Sequence, residues 1–332
     1  MSIIKLSRAP SIISGASVVG KKEYDGPLGT DFDIHDNDST FGMDTWEKSE
    51  SEMQRLAVNT SLAKAKLSPS DIEVIFAGDL MNQCTGSAYG ALGFAKPYFG
   101  IYGACSTFAE GLAIASMMLG AGYYKKCAVV TSSHFCSAER QFRFPIEYGG
   151  QRPPTAQRTV TGAGAVILSL DGAGPFICDV MPGIPIDMGI DDANNMGAAM
   201  APAAINTFKR YFDETNTSPS DYDLILTGDL GMEGHSILCE IMGTKGYDMS
   251  KNYNDCGLMI YNCKTQDVHS GGSGCGCSAT VFSSLILKKL LRHELNNVLF
   301  AATGALMSPD SIKQGMSIPG IAHLIHIKNE RI

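Results

Sequence analysis

Short, continuous apolar runs alternate along the chain with longer segments whose apolar residues recur every three or four positions. VIFAG (74–78), CAVVT (127–131), GAVILSL (164–170), FICDVM (176–181), DLILTG (223–228), GLMIY (257–261), VLFAAT (298–303) and HLIHI (323–327) predict strands buried on both faces, and YFGIYG (98–103) a further one. Between them, Met53, Leu56, Ala57 and Ala63 keep helical spacing from about Trp46 to Ala65, with Asp44 and Glu47 placed as a capping box and Pro69 as the stop. A weaker helix is predicted near 86–96, and another from just after Cys105 to Gly120–Gly122. Strands alternating with helices imply an α/β protein with mainly parallel central pairing.

The pattern occurs twice. LSPSDIEVIFAGDL (67–80) returns as TSPSDYDLILTGDL (217–230), with Pro69/Pro219, Asp71/Asp221, Gly78/Gly228 and Asp79/Asp229 coinciding. CSTFAEGLAIASMML, from Cys105, aligns without gaps to the segment starting at Cys277. Two long repeats predict paired lobes, because a solenoid needs several short units to build a continuous core. The boundary is expected near 172, giving halves 1–172 and 173–332, stacked helix to helix with a site where strand ends converge.

Composition changes this picture in two ways. With 26 Lys plus Arg against 34 Asp plus Glu, the net charge of −8 argues against a partner held by phosphate neutralisation, so nucleic acid is not expected. Ten cysteines scattered over 332 residues, with no CxxC pair, favour reduced thiols in an intracellular compartment. No apolar run reaches the roughly 18 residues that cross a bilayer, and MSIIKLSRAPSIISG lacks the apolar core of a signal peptide, so any membrane contact is expected to be peripheral.

One cysteine stands apart. In GIYGACSTFAEG, Cys105 follows a glycine turn and precedes a helix, where free backbone N–H groups and the helix dipole favour a thiolate and an anion. The plainer reading is a small buried apolar residue. Residues 140–158 hold Arg140, Arg143, Arg152 and Arg158, four of the nine arginines, with Glu139 and Glu147 beside them. A polar loop of that length is commonly functional, although guanidinium–carboxylate pairing that only orders the loop fits equally. His134, just after CAVVT, is a further candidate for the same cavity. DFDIHDNDST (31–40) and IDMGIDDANN (186–195) lack the glycine and terminal glutamate of an EF-hand, and GGSGCGC is no dinucleotide fingerprint.

The duplicated halves, GACST before a helix, TVTGAGAVILSL and GGSGCGCSA resemble the thiolase and ketoacyl-synthase superfamily across nearly the whole chain. DGPLG, AGDLMNQ, TSSHFCSAERQFRFPIEYGGQRP, MGAAMAPAA, YDLILTGDL, NDCGLMIY and SPDSIKQGMSIPGIAH are similar, collinearly, to the stage V sporulation protein AD family of endospore-forming bacteria. The resemblance implies a thiolase-like fold in layered αβαβα order, a homodimer, and a part in moving dipicolinic acid into the developing spore. It implies a peripheral location at the spore inner membrane among other membrane proteins of the same sporulation complex, and no cofactor beyond calcium chelated by dipicolinate.

Departures from the enzymes matter as much. The resemblance puts a histidine at the end of the strand matching LILTG, where this chain has Gly228 and Asp229, its nearest histidine being His235. It puts an asparagine- or histidine-type donor in the SGCGCSA turn, where Cys275 and Cys277 stand. Condensation needs a thiolate and preorganised oxyanion donors, so Cys105 alone is not expected to sustain it. The expected ligand site combines helix N–H donors after Cys105, guanidinium forks from Arg140 and Arg143, and a wall from Phe142, Phe144 or Tyr148. Asp79, Asp229 or Glu139 would complete coordination of a calcium chelate. A Cys-dependent acyltransferase and a non-catalytic scaffold remain the alternatives.

Overall fold

The computed structural model describes residues 2–142 and 151–331. Five strands of the first half lie in the order Ser11–Gly20, Gly162–Ser169, Lys126–Ser133, Val74–Gly78, Tyr98–Gly100. The second half gives Phe176–Met181, Gly320–Lys328, Asn297–Ala305, Leu224–Thr227, Tyr253–Asp255. In chain order both are first, fifth, fourth, second, third. In both, the fifth strand runs antiparallel to its two neighbours and the other contacts are parallel. The two five-strand sets meet edge to edge at Ser11 against Phe176, and the halves are also joined by Ile4–Lys5 pairing with Phe176–Met181 and Arg158–Thr159 pairing with Gly272–Ser273.

The repeated sequence is a repeated structure. Ser68 and Ser218 each open a short 3₁₀ turn, Pro69–Asp71 and Pro219–Asp221, with reciprocal serine–aspartate capping in both. Proline at the first position fixes φ where no N–H is needed. Each turn delivers the chain into a buried strand whose C-terminal end is followed by an aspartate, Asp79 or Asp229.

Helices cover the sheets in layers. Trp46–Lys64 packs on the outside of the first sheet and Met196–Thr215 on the second. Between the sheets run Thr107–Gly120 and a helix from Cys275 to Leu291 that passes through a π-helical turn, Phe282–Ile286. Close approach of the latter to the strand Gly162–Ser169 requires glycine, since a Cβ on Gly164 would meet the Ala279 carbonyl at 2.2 Å. Phe108, Phe282 and Phe300 fill the space between the layers.

The strand Ser11–Gly20 is not among those the apolar runs predict, its serines and glycines breaking the run, and two further elements differ from the sequence reading. Helix Trp46–Lys64 is capped by Thr45, whose side chain accepts from the Lys48 amide at 3.3 Å, while Asp44 pairs with the Lys48 ammonium at 2.8 Å. GLMIY is not a strand: Tyr253–Asp255 ends the ladder and Cys256–Ile260 is helical, burying Cys256, Gly257 and Ile260 on one face. A five-residue apolar run fits either element, and here the helical spacing decided. No described helix is long and apolar enough to cross a membrane.

Candidate functional site

Cys105 sits in the turn that leads into helix Thr107–Gly120, where the halves touch. Ala104 adopts φ +52°, a left-handed conformation costing an alanine about 1 kcal/mol. Side chains hold the turn: Ser106 Oγ donates to the Gly103 carbonyl at 2.6 Å, and Thr107 Oγ1 accepts from Gly103 N at 3.0 Å. On the other side a Cβ at Gly304 would stand 2.5 Å from the Gly103 oxygen, so the strand Asn297–Ala305 lies directly against the turn.

Cys105 is 6% exposed and faces residues of the second half. Its sulfur lies 3.7 Å from Ser273 Oγ, and the Ser273 hydroxyl donates to Asp229 Oδ2 at 3.0 Å. Gly274 N donates to the same oxygen at 2.9 Å, and Thr303 Oγ1 to Oδ1 at 2.9 Å. Where Ser273 gives its proton to an ionised Asp229, the sulfur is left to donate its S–H to the serine oxygen. That arrangement goes with a thiol. Burial first, and the Asp229 charge second, push its pKa well above the ordinary value. This corrects the expectation of a favoured thiolate: the helix dipole is outweighed by desolvation and a nearby acid. Asp229 is itself pushed up by burial, against the pull of its hydrogen bonds.

Asp79, the counterpart of Asp229 in the first half, belongs to a different cluster. Its Oδ2 accepts from Ser87 N at 2.7 Å and Ser87 Oγ at 2.6 Å, and Oδ1 from Met81 N at 2.8 Å. Glu50, from the outer helix, accepts from Ser132 Oγ at 3.0 Å and Ser137 Oγ at 2.8 Å. Burial, then the Asp79 charge, pushes Glu50 up to about 8. Cys275, where the enzymes are expected to carry a donor, gives its S–H to the Ser132 carbonyl at 2.9 Å.

A cavity of about 280 Å³ adjoins the site, bounded by Phe142, Glu139, Arg152, Gln157, Asn194 and Met196 among others. Gln157 links it to the cysteine side, donating to the Asp229 carbonyl at 2.6 Å and the Gly272 carbonyl at 2.9 Å. Ala138 and Phe142 share a small apolar cluster with Cys105, Leu80 and Cys275. Helix Met196–Thr215, capped by Asn195, opens its N-terminus at the cavity wall. Arg152 is nearly buried and lies 3.5 Å from the Asp267 carboxylate.

Of the residues singled out in the sequence, Cys105 and Asp229 come together and Glu139 lines the adjoining cavity. Arg140 instead pairs with Glu47 on the outer helix. His134 is buried away from the cavity: its Nε2 lies 2.9 Å from the Ser39 carbonyl, it packs on Trp46, and burial lowers its pKa. Asp79, Asp229 and Glu139 are not gathered, and no group of three or more potential metal ligands occurs among the described residues. Arg143, Phe144 and Tyr148 lie outside the described residues. Ser273, Thr303, Gln157 and Glu50 join the site only in the structure. Ser273 sits in the quoted GGSGCGC run and could have been found there; the others carry no local signal.

The model of the family described as stage V sporulation protein AD matches residues 2–328. The chain belongs to that family. It is 45% identical over 310 residues to stage V sporulation protein AD of Bacillus subtilis (strain 168), covering 93% of this chain and 91% of the relative. Similar solved structures include 3-oxoacyl-[acyl-carrier-protein] synthase III from Aquifex aeolicus VF5, with 14% identity, TM-score 0.57, and 95% and 99% of the two chains covered. A histidine-to-asparagine variant of Xanthomonas campestris OleA gives 15% identity, TM-score 0.61, and 98% and 100% coverage. At these identities the likeness shows the fold alone. Against that fold, this chain sets Cys105 opposite Asp229 across the Ser273 hydroxyl.

Proposed function

We propose that this sporulation protein binds dipicolinic acid, or its calcium chelate, in the cavity beside Cys105 and takes part in its uptake into the developing spore without condensing acyl groups. The observation that carries the reading is the buried acid Asp229 facing Cys105 across the Ser273 hydroxyl, an arrangement that disfavours a thiolate. A condensing enzyme needs the opposite, a thiolate and donors aimed at a developing oxyanion.

The cavity suits a flat aromatic dicarboxylate. Its volume of about 280 Å³ is at the small end of ligand pockets, which begin at roughly 300 Å³. Arg152, held by Asp267, brings a guanidinium charge to one carboxylate and the N-terminus of helix Met196–Thr215 offers N–H groups to the other. Phe142 supplies a wall, and Glu139 a hard oxygen ligand for a chelated calcium. The reading also has the chain working as a homodimer, peripheral at the spore inner membrane among other membrane proteins of the same complex.

Calorimetric titration of free and calcium-bound dipicolinate into the wild type, Arg152→Gln and Glu139→Gln tests it. Loss of the guanidinium should cost the free acid about 2–5 kcal/mol and the chelate less, because the metal already neutralises the carboxylates. Glu139→Gln should weaken only the chelate. A wild type that binds neither form at millimolar concentration, or three proteins with equal affinities, would sink the assignment.

A further inference from the structure

A second cavity, of about 520 Å³, opens at the opposite end of the second sheet, among the residues where its strands begin or end away from Asp229. Its floor is a cross-strand row: Lys5 pairs in register with Asp179, and Asp179 with His326. Lys328 follows His326 by two positions, in register with Asn297. Residues two apart on a strand share a face, so Lys328 projects from the same side as His326. Tyr211 and Tyr222 close over the imidazole edge-on, with ring centroids 6.0 and 5.7 Å from it.

Hydrogen bonds tie this floor together. Asn297 Nδ2 donates to the Asp221 carbonyl at 2.7 Å, so Asn297 Oδ1 is the atom facing His326 Nε2 at 2.7 Å and must accept from it. His326 Nδ1 lies 2.9 Å from Asp179 Oδ2, while Asp179 Oδ1 accepts from the Tyr211 hydroxyl at 2.9 Å. His326 thus bridges Asn297 and Asp179, and Asp179 is tied into the floor by His326 on one oxygen and Tyr211 on the other. The Asp221 carboxylate is taken up by the Ser218 amide at 2.7 Å and hydroxyl at 3.1 Å. Lys5 and Lys328 are in no ion pair among the described residues, and both line the cavity. Two strand spacings and two residues separate them by roughly 12 Å, within the combined reach of two lysine side chains.

We propose that this cavity is a binding site for a small organic anion, its carboxylate or phosphate group held between the Lys5 and Lys328 ammonium groups, with Tyr211 and Tyr222 against its body. Asp179 is engaged by His326 and Tyr211 and Asp221 by Ser218, which leaves the two lysines as the cavity's cations without an ion pair among the described residues, and the tyrosine rings give an apolar wall beside them. The site is independent of the cavity beside Cys105.

The test is titration of the full chain with inorganic phosphate and with succinate, followed through the His326 side-chain NMR signals and by calorimetry. The wild type should show saturable, salt-sensitive shifts of His326 with at least one of the two anions, and the anion that binds tighter identifies the group recognised. Lys5→Gln combined with Lys328→Gln should weaken that binding ten-fold or more while the circular dichroism and thermal midpoint stay unchanged, since both are surface side chains. Arg152→Gln should leave it unaltered. Absence of any response at about 10 mM of both anions, equal affinity in the double lysine variant, or loss of binding in Arg152→Gln instead would each overturn the proposal.

Discussion

Cys105 and Asp229 face one another across a single hydroxyl, that of Ser273, 3.7 Å from the sulfur and 3.0 Å from the carboxylate. A charge placed there opposes thiolate formation, where a histidine would assist it. Alkylation of Cys105 by iodoacetamide at pH 7 should therefore be slower than that of the half-buried Cys136 or Cys263. Asp229→Asn removes the charge while keeping a side chain that accepts from Thr303, and should speed Cys105 labelling several-fold, though burial will still hold the thiol up. Mass spectrometry of the labelled peptides reads both rates; unchanged labelling in the variant would show that the acid has no hold on the sulfur.

Much of this was legible in the sequence because it is local or repeated. The duplicated PSD turn set two strands and both aspartates, and the continuous apolar runs between turns marked most of the other strands. GLMIY failed because five apolar residues carry no period that separates strand from helix. The site was legible only in part. Cys105 and Asp229 announce themselves by context, but Ser273 and Thr303 meet Asp229 from 44 and 74 residues away. Arg140 has the chemistry of a ligand residue, and only the packing of its helix against Trp46–Lys64 sends it to Glu47.

Glu50 makes stability depend on pH. In the unfolded chain it releases its proton near 4.5, while in the fold it keeps it up to about 8. Between those values the folded state binds more protons, so stability is full below the lower value and falls as pH rises through the upper one. Glu50→Gln should flatten the decline measured by urea unfolding across that window, leaving a smaller slope from the other acids that burial pushes up, among them Asp79, Asp229 and Asp255. An identical slope in the variant would rule out Glu50 as its source.

Among the described residues the strand Tyr98–Gly100 ends its sheet with one edge unpaired, and Phe99 and Tyr102 are each 44% exposed beside it. An exposed apolar edge invites pairing with a second copy about a twofold axis. Light scattering at micromolar concentration should give twice the chain mass of 35.4 kDa, and a proline at Phe99, which blocks edge hydrogen bonding, should shift the population to monomer. A wild type that scatters as a monomer ends this expectation.

Gly304 is the point at which the second half limits the position of the cysteine. A methyl group there would lie 2.5 Å from the Gly103 oxygen and 3.1 Å from Ser106 N, both backbone atoms of the turn that carries Cys105. Neither can rotate away, so Gly304→Ala must push the turn off the strand Asn297–Ala305 and lengthen the Cys105–Ser273 contact. Overpacking of this kind costs about 1–3 kcal/mol, to be read in denaturant unfolding. The same displacement should admit solvent to the sulfur and raise its alkylation rate, an effect that simple loss of stability elsewhere in the fold would not produce. Gly164→Ala, which crowds the Ala279 carbonyl on the central helix, is the control: it should destabilise the chain as much with a smaller effect on Cys105. Stability within about 0.5 kcal/mol of the wild type in Gly304→Ala would mean that the halves have room to part at this contact.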